Sequence, residues 1–313
     1  MSNSPLTLED VMSRDDTELL SRISEKELTR LYWKFRGLAK TLERDTAFWN
    51  STNENLKVAY EQLDEKEREL AAAYHIIRED LEVAQSVQSA LLPRMFATMA
   101  SELELSVYHK QLTEVGGDYY DYFRTASDRY AIGVFDISGH GVSSALVMAY
   151  LKAQFMTIME RLEDPAEIVE WVNKASFEFL REVRKYATVN FVTFAEESLT
   201  YVCGGGYGLL LAASGEEYDL EKRNHFLGLR QKPYVETQLP FVVGDLLVLY
   251  TDGMVEAQDA SGRDYTVARL NGLIRQNRAL PTEEIVRLCV EDYQAFRSQD
   301  SDDITLLVAR KTA

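Results

Sequence analysis

Tyr130-Ala131-Ile132-Gly133-Val134-Phe135-Asp136-Ile137-Ser138-Gly139-His140-Gly141 joins a short apolar run to a carboxylate and then to a glycine-rich turn. An apolar run of this length bounded by turn residues reads as a buried strand. Asp136 stands where that strand ends, and the glycines after it let the backbone turn sharply and bring carbonyls close to an ion. Capping a helix that begins near Val142 is a role that suits Ser138 better than Asp136. The same grammar recurs further along the chain. Leu246 to Tyr250 runs into Thr251-Asp252-Gly253, and Asp302-Asp303 leads into Ile304 to Ala309. A fourth aspartate, Asp118, lies in Gly116-Gly117-Asp118-Tyr119-Tyr120-Asp121. If the strands lie side by side, their ends deliver carboxylates far apart in sequence to one point. Oxygen-only ligands favour Mg²⁺ or Mn²⁺ over zinc. Two such ions about 3.5–4 Å apart serve to activate water and neutralise a phosphoryl group.

Plainer readings stand beside this one. Asp-Gly at 252–253 is also the chemistry of a type I′ or II′ hairpin turn. The like-charged pair Asp302-Asp303 would raise one of its own pKa values unless a cation neutralised it. Asp118 and Asp121, three apart on a strand, point to opposite faces, so at most one of them faces the ions. His140 is open to three roles: a base, a ligand or a loop residue. Gly204-Gly205-Gly206 has the look of a phosphate cradle, but no helix-opening Lys-Ser/Thr comes after it, which excludes a P-loop.

Hydrophobic residues make up 46% of the 313 and charged residues 27%, enough to build a proper core. The 51 acidic residues outnumber the 34 basic ones, for a formal charge of −17. That balance argues against nucleic acid or an anionic membrane as the main partner. No run approaches the roughly 18 apolar residues of a spanning helix. The start of the chain carries Glu9, Asp10, Asp15 and Asp16 in place of a basic, apolar leader, so a cytoplasmic protein is expected. Cys203 and Cys289 lie far apart with no Cys-x-x-Cys, and are expected to be buried thiols.

Residues 1–20 are polar and acidic, a frayed tail or one short helix. Residues 21–92 contain one glycine, Gly37, and no proline, which is helix composition. Counting by sevens gives Leu28, Phe35, Leu42, Trp49, Leu56, Leu63, Leu70, Ile77, Ala84 and Leu91, all apolar. A sustained seven-residue repeat predicts a coiled coil, and hence a homodimer. The companion positions Asp45, Lys66 and Asp80 weaken the middle of the seam. A weak middle suits a stalk that shifts between two arrangements and so regulates the domain on its C-terminal side, with Ala84, Val87 and Leu91 nearest the junction. Pro93 ends the helix. Beyond it, period-two patterning and four helical segments, about 143–161, 165–184, 266–276 and 282–297, do not form a repeating βαβ unit. They fit an α+β sandwich of two sheets covered by helices, spanning 93–313.

From about Leu91 to Arg310 the four aspartate motifs resemble, in order, those of the SpoIIE/RsbU-type bacterial members of the metal-dependent PPM superfamily of Ser/Thr protein phosphatases. Four short matches in order and at domain-scale spacing carry this resemblance, together with Ala84-Gln85-Ser86-Val87-Gln88-Ser89-Ala90-Leu91-Leu92-Pro93, which is similar to the family's helix-to-phosphatase junction. The resemblance implies a PPM-type α-β-β-α sandwich with two Mn²⁺ or Mg²⁺ ions held by Asp118, Asp136, Asp252 and Asp302. It further implies that Asp136 bridges both ions and that the Ile137 carbonyl adds a ligand. Catalysis would then rest on Asp136 and Asp252, with Gly117, Gly139, His140, Gly253 and Asp303 close by. Met254-Val255-Glu256-Ala257 resembles the family's continuation rather than a second hairpin strand. Asp121 is left as a support behind the site or a surface charge. The implied activity is hydrolysis of phosphoserine or phosphothreonine, on a phosphorylated STAS-type anti-sigma-factor antagonist, under an upstream activator acting through the stalk. Where the family often has an Ala-Gly-His-Asn-like stretch, this chain has Cys203-Gly204-Gly205-Gly206-Tyr207, which leaves the role of that loop open. Two other classes fit the same residues: a non-catalytic interaction protein on this scaffold, and a hydrolase of small phosphate esters.

Overall fold

A computed structural model describes residues 24–94, 99–220 and 223–313 of the chain. The tail expected over 1–20 lies outside the described residues. The chain divides into two compact units, Met1–Ile76 and Ile77–Ala313.

The described part of the first unit is helix. α1, Glu25–Leu91, starts on a capping box in which Ser24 Oγ accepts from the Glu27 amide at 3.4 Å and the Ser24 amide donates to the Glu27 carboxylate at 3.0 Å. Leu28, Phe35, Leu42, Trp49, Leu56, Leu63 and Leu70 are all exposed within the chain. The last turns of α1 belong to the second unit, where Leu91 and Leu92, both half-buried, pack against buried core residues.

The second unit is a four-layer sandwich. After α1 come α2 (Met99–Glu102), β1 (Leu103–Lys110), β2 (Tyr119–Arg124), β3 (Tyr130–Phe135), α3 (Val142–Met159) and α4 (Pro165–Glu182). They are followed by β4 (Val189–Phe194), β5 (Ser198–Gly204), β6 (Tyr207–Leu211), β7 (Glu217–Asp219), β8 (Thr237–Pro240) and β9 (Leu246–Tyr250). The chain closes with α5 (Asp252–Val255), α6 (Val267–Asn277), α7 (Thr282–Phe296) and β10 (Ile304–Lys311). One sheet runs β1-β10-β9-β6-β7 and the other β2-β3-β4-β5-β8, with antiparallel neighbours throughout.

Period-two patterning explains the layers, because alternate side chains of a strand leave opposite faces. In β9, Leu247 and Leu249 enter the core between the sheets, while Leu246, Val248 and Tyr250 face α6 and α7. β10 divides likewise, with Leu307 and Ala309 inward and Ile304, Leu306 and Val308 outward. In the other sheet, Ile132, Val134 and Val192 enter the central core, whereas Ala131, Phe135 and Phe191 pack under α3 and α4. These strands are apolar throughout because both of their faces are covered. α3 is long and apolar enough to cross a membrane by length and composition, contrary to the reading of the bare sequence. Its Val147, Met148, Leu151 and Phe155 are core residues packed on the sheet.

Register decides where the aspartates fall. Tyr119 pairs with Phe135, so the start of β2, after Asp118, and the end of β3, before Asp136, share one edge. Leu306 pairs with Tyr250, so the end of β9, before Asp252, and the start of β10, after Asp303, share an edge of the other sheet. β3 therefore lies in the facing sheet and not beside β9 and β10, which corrects the side-by-side arrangement that the sequence suggests.

Candidate metal centre

Asp118 is the most enclosed of the four aspartates, 2% exposed. Its Oδ2 accepts from the hydroxyls of Thr251 at 2.7 Å and Thr305 at 2.8 Å. Those threonines also bond to each other's strand, with Thr305 N donating to Thr251 Oγ1 at 2.9 Å and Thr251 N to the Thr305 carbonyl at 3.0 Å. A residue from one sheet is thus gripped by two from the other. Burial, and then the charge of Asp136, push the Asp118 carboxyl well above the usual carboxylate range, and the two hydroxyls only partly offset this.

Asp136 follows β3 with its amide bonded to Thr188 Oγ1 at 3.0 Å and its carbonyl accepting from Thr188 N at 2.8 Å. Burial, followed by the charges of Asp252, Asp302 and Asp303, raises its pKa to about 7. Asp252 opens the one-turn helix α5 and does not sit in a hairpin turn. Burial, Glu256 and Asp302 raise its pKa to about 6. Asp302 is also raised, by burial first, and the nearby charge of His140 opposes the shift. These mutual effects bring Asp118, Asp136, Asp252 and Asp302 within electrostatic reach of one another, with exposed His140 beside Asp302. Asp252 and Asp302 also line a cleft of about 410 Å³ with Gly253, Glu256, Gln258 and Asp259.

Asp303 has a separate task. Its Oδ1 accepts from Leu112 N at 2.7 Å, and its Oδ2 from Gly117 N at 2.6 Å and Asp118 N at 3.4 Å. This carboxylate clamps the loop before Asp118 onto the start of β10. The glycines beside it are sterically required. A Cβ on Gly116 would come within 2.4 Å of Asp303 Oδ2, and one on Gly253 within 2.0 Å of the Asp303 carbonyl oxygen. A Cβ on Gly117 would meet the Ile137 carbonyl oxygen at 2.7 Å, so that carbonyl faces the Asp118 loop. Gly139 and Gly141 turn the chain at φ 76° and 79°.

Asp121 points elsewhere. It is buried and bonded to Lys152 Nζ on α3, to the Tyr119 hydroxyl and, at 2.9 Å, to Tyr122 N. Neither expectation for it described this ion pair. Burial outweighs Lys152 and sets the Asp121 pKa at about 6. Gly204-Gly205-Gly206 carries the chain from one sheet to the other. A Cβ on Gly205 would lie inside the Phe226 ring, and one on Gly204 would meet the His225 carbonyl oxygen at 2.5 Å. Close packing therefore accounts for at least two of these glycines.

Sequence reasoning passed over Gln88, Thr251, Thr305, Lys152 and Glu256. Both threonines adjoin quoted motifs, in Thr251-Asp252 and Asp302-Asp303-Ile304-Thr305, and their place next to the aspartates was the available signal. Gln88 is 4% exposed, Val87 beside it 59%. Gln88 Nε2 donates to the Gly116 carbonyl at 2.7 Å, while its Oε1 accepts from Gly116 N at 3.1 Å and Gln111 Nε2 at 2.7 Å. Ala84 and Leu91 are half-buried. Replacing Gln88 with Ala leaves three polar groups without this partner and should cost about 1–3 kcal/mol. Val87→Ala should stay within about 0.5 kcal/mol. Denaturant melts of the two variants, compared with the parent, check this contrast.

The donor chemistry fits hard divalent cations: several carboxylates that burial and mutual repulsion penalise, with the Ile137 carbonyl lying against the loop that bears one of them. Among the described residues, no three His, Cys, Asp or Glu side chains already converge as a finished ligand cage. Un-neutralised carboxylates repel one another, and the charge of a bound cation would draw them in.

The family with the description Stage II sporulation protein E (SpoIIE) matches residues 126–312, a stretch that includes Asp136, Asp252 and Asp302 and leaves Asp118 just outside. Phosphoserine phosphatase RsbU of Bacillus subtilis (strain 168) is 22% identical over 265 residues, covering 81% of this chain and 76% of that protein. Phosphoserine phosphatase RsbP of the same strain is 25% identical over 186 residues, covering 57% of this chain. The match spans only 46% of RsbP, less than half its length. The SiaA-PP2C domain of Pseudomonas aeruginosa superposes with a TM-score of 0.70 at 26% identity, covering 77% of this chain and 99% of that one. Likeness of fold alone extends to the catalytic domain of the serine threonine protein phosphatase PstP, solved in complex with 2 manganese ions. There the TM-score is 0.51 at 14% identity, covering 68% of this chain and 99% of that one.

Proposed function

The chain belongs to the SpoIIE family, and from that premise we propose that it is a Mn²⁺- or Mg²⁺-dependent phosphatase of phosphoserine or phosphothreonine in proteins, acting in partner-switching signalling. The observation that carries the reading is the register that puts Asp118 and Asp136 at one edge of one sheet and Asp252 and Asp302 at one edge of the other. The phosphoserine phosphatases RsbU and RsbP support the substrate class, and the manganese ions of PstP support the metal.

Asp118, Asp136, Asp252 and Asp302 would hold two ions, with the Ile137 carbonyl as a further ligand. When bound, such ions supply Lewis acidity, lowering the pKa of a water and offsetting charge on the phosphoryl group. The residues of this chain do the positioning. Thr251 and Thr305 aim the Asp118 carboxylate across the gap between the sheets, and Asp303 fixes the loop that bears it. Gly253, by lacking a Cβ, lets the turn that follows Asp252 lie against the Asp303 carbonyl without collision. The substrate in this reading is a phosphorylated STAS-type anti-sigma-factor antagonist. Phosphate release from such a protein, with p-nitrophenyl phosphate as the comparison, tests it. Mn²⁺-dependent turnover of the phosphoprotein at the higher kcat/KM is expected. Efficient turnover of the small ester alone would favour the small-ester hydrolase, and no turnover of either would favour a binding protein.

Regulation in this reading enters through α1, which pairs with α1 of a second copy and receives an upstream activator. The exposed seam from Leu28 to Leu70 supports pairing, since an isolated helix gains little from leaving such a stripe in water. Light scattering should give a dimer for the full chain and a monomer for the fragment that starts at Pro93. A monomeric full chain would contradict the pairing.

A further inference from the structure

His109 stands on β1 directly across from Thr305 of β10. It continues the face that carries Leu103, Leu105 and Val107 into the core between the sheets. There its ring meets Tyr120 of the facing sheet edge-on, with centroids 5.5 Å apart. Its Nδ1 lies 3.0 Å from Thr305 Oγ1, and Thr305 Oγ1 in turn donates to Asp118 Oδ2 at 2.8 Å. Side chains from β1, from β10 and from the loop that leads into β2 thus form one chain of hydrogen bonds. It crosses from one sheet to the other and ends on a carboxylate of the metal centre.

Chemistry fixes the order of hydrogens along this chain. A carboxylate that binds a cation is ionised and can only accept. A threonine hydroxyl has one hydrogen, and here it goes to Asp118, so towards His109 the same oxygen offers only a lone pair. Nδ1 must therefore carry the imidazole hydrogen. Nε2 is shut off from solvent and has no hydrogen-bond partner among the described residues. Burial lowers the pKa of His109 to about 4, so near pH 7 the ring is neutral, with a bare lone pair on Nε2. A buried acceptor without a donor is unfavourable for folding. A phenylalanine would fill the same place against Tyr120 and leave no acceptor bare, so packing does not explain the histidine. The bond to Thr305 does. A free threonine hydroxyl turns about its C–O bond, whereas one whose lone pair is held by an N–H has its hydrogen aimed away from that donor. A donor behind a hydroxyl also strengthens the bond that the hydroxyl gives.

We propose that His109 is a positioning residue of the metal centre: through the Thr305 hydroxyl it holds the Asp118 carboxylate in the orientation that binds the cation, and touches neither the ion nor the substrate. The inference rests on the metal-dependent reading of the four aspartates and adds to it a residue that lies in none of their motifs. Groups that hydrogen-bond a metal ligand typically change metal affinity about 10–100-fold when they are lost. His109 stands one step further back, which places its effect at the low end of that range.

The test is calorimetric titration of the full chain with Mn²⁺, for the parent, His109→Phe, His109→Asn, Thr305→Val and His109→Phe/Thr305→Val. His109→Phe keeps a ring against Tyr120 and loses the donor. Its Kd for Mn²⁺ should rise about tenfold, while the metal-free protein melts no lower than the parent. His109→Asn offers an amide N–H close to where Nδ1 stands and should recover most of that affinity. In the Thr305→Val background, His109→Phe should have no further effect, because the hydroxyl it acts through is gone. An unmoved Kd for His109→Phe would overturn the proposal. Equal losses in both backgrounds, or an Asn variant no better than the Phe one, would overturn it too and make His109 a packing residue. Imidazole nitrogen NMR of the parent loaded with Mg²⁺ needs no variant to fold: a hydrogen on Nδ1 and a bare Nε2 are expected, and a hydrogen on Nε2 would contradict the chain of donors. A parent that binds no Mn²⁺ overturns the metal centre itself, an outcome distinct from a parent that binds it while the variants leave Kd unmoved.

Discussion

Asp136→Asn and Asp252→Asn are each expected to lower Mn²⁺-dependent turnover on the order of 10³-fold, the scale of losing one preorganised electrostatic element at a reacting centre. Asn keeps the shape of the side chain and removes its charge. The backbone bonds of Asp136 to Thr188 persist, and so does the one-turn helix that Asp252 opens. Neither change opens a cavity, and each removes repulsion from a cluster that burial already penalises. Without metal the variants should therefore melt at or above the temperature of the parent. Phosphate release at saturating Mn²⁺, measured alongside thermal melts, checks both halves. Near-parental turnover in either variant would remove that aspartate from the site.

The second large effect concerns pH in the absence of metal. Asp136 and Asp252 have folded-state pKa values of about 7 and about 6 against 3.8 for the ordinary group. A raised carboxyl binds its proton more tightly in the folded chain than in the unfolded one. Below about pH 4 both states are protonated and these groups cost nothing. As pH rises towards 7 the unfolded chain ionises freely while the folded one resists, so stability is lost. For Asp136 alone the loss is roughly 2–4 kcal/mol. His109 works the other way: burial lowers its pKa to about 4, which favours the folded state as pH rises through the ordinary imidazole range. The difference between parent and Asp136→Asn isolates the carboxylate. In a chelator, that difference should widen in favour of the variant from pH 4 to 8 and close when Mn²⁺ is added to the parent. A difference that stays flat across this range would mean that burial and the neighbouring carboxylates do not raise the Asp136 pKa.

Most of the sandwich was legible because its strands and helices obey simple periods. Tyr130 to Phe135 and Leu246 to Tyr250 read directly as buried strands, and the structure gives them those bounds. β7 and β8 carry no such signal, since Glu217–Asp219 and Thr237–Pro240 are short, largely exposed edge strands with no apolar run. The aspartates were legible because each sits at a strand end. Their partners were not, because Thr251 and Thr305 matter only through a pairing of β9 with β10 that no local pattern encodes. Gln88 shows the same limit. The seven-residue seam points to Ala84, Val87 and Leu91, yet the side chain that reaches Gly116 is a polar one just off the seam. A glutamine on a helix carries no mark of burial until the loop it bonds is known.

Anomalous scattering at the manganese edge from crystals grown with Mn²⁺ tests the central claim most directly. Two peaks about 3.5–4 Å apart are expected, with Asp136 touching both and Asp118, Asp252 and Asp302 completing the ligands from the two facing sheet edges. Crystals of a protein with proven Mn²⁺-dependent turnover that show manganese bound away from these four aspartates would contradict it.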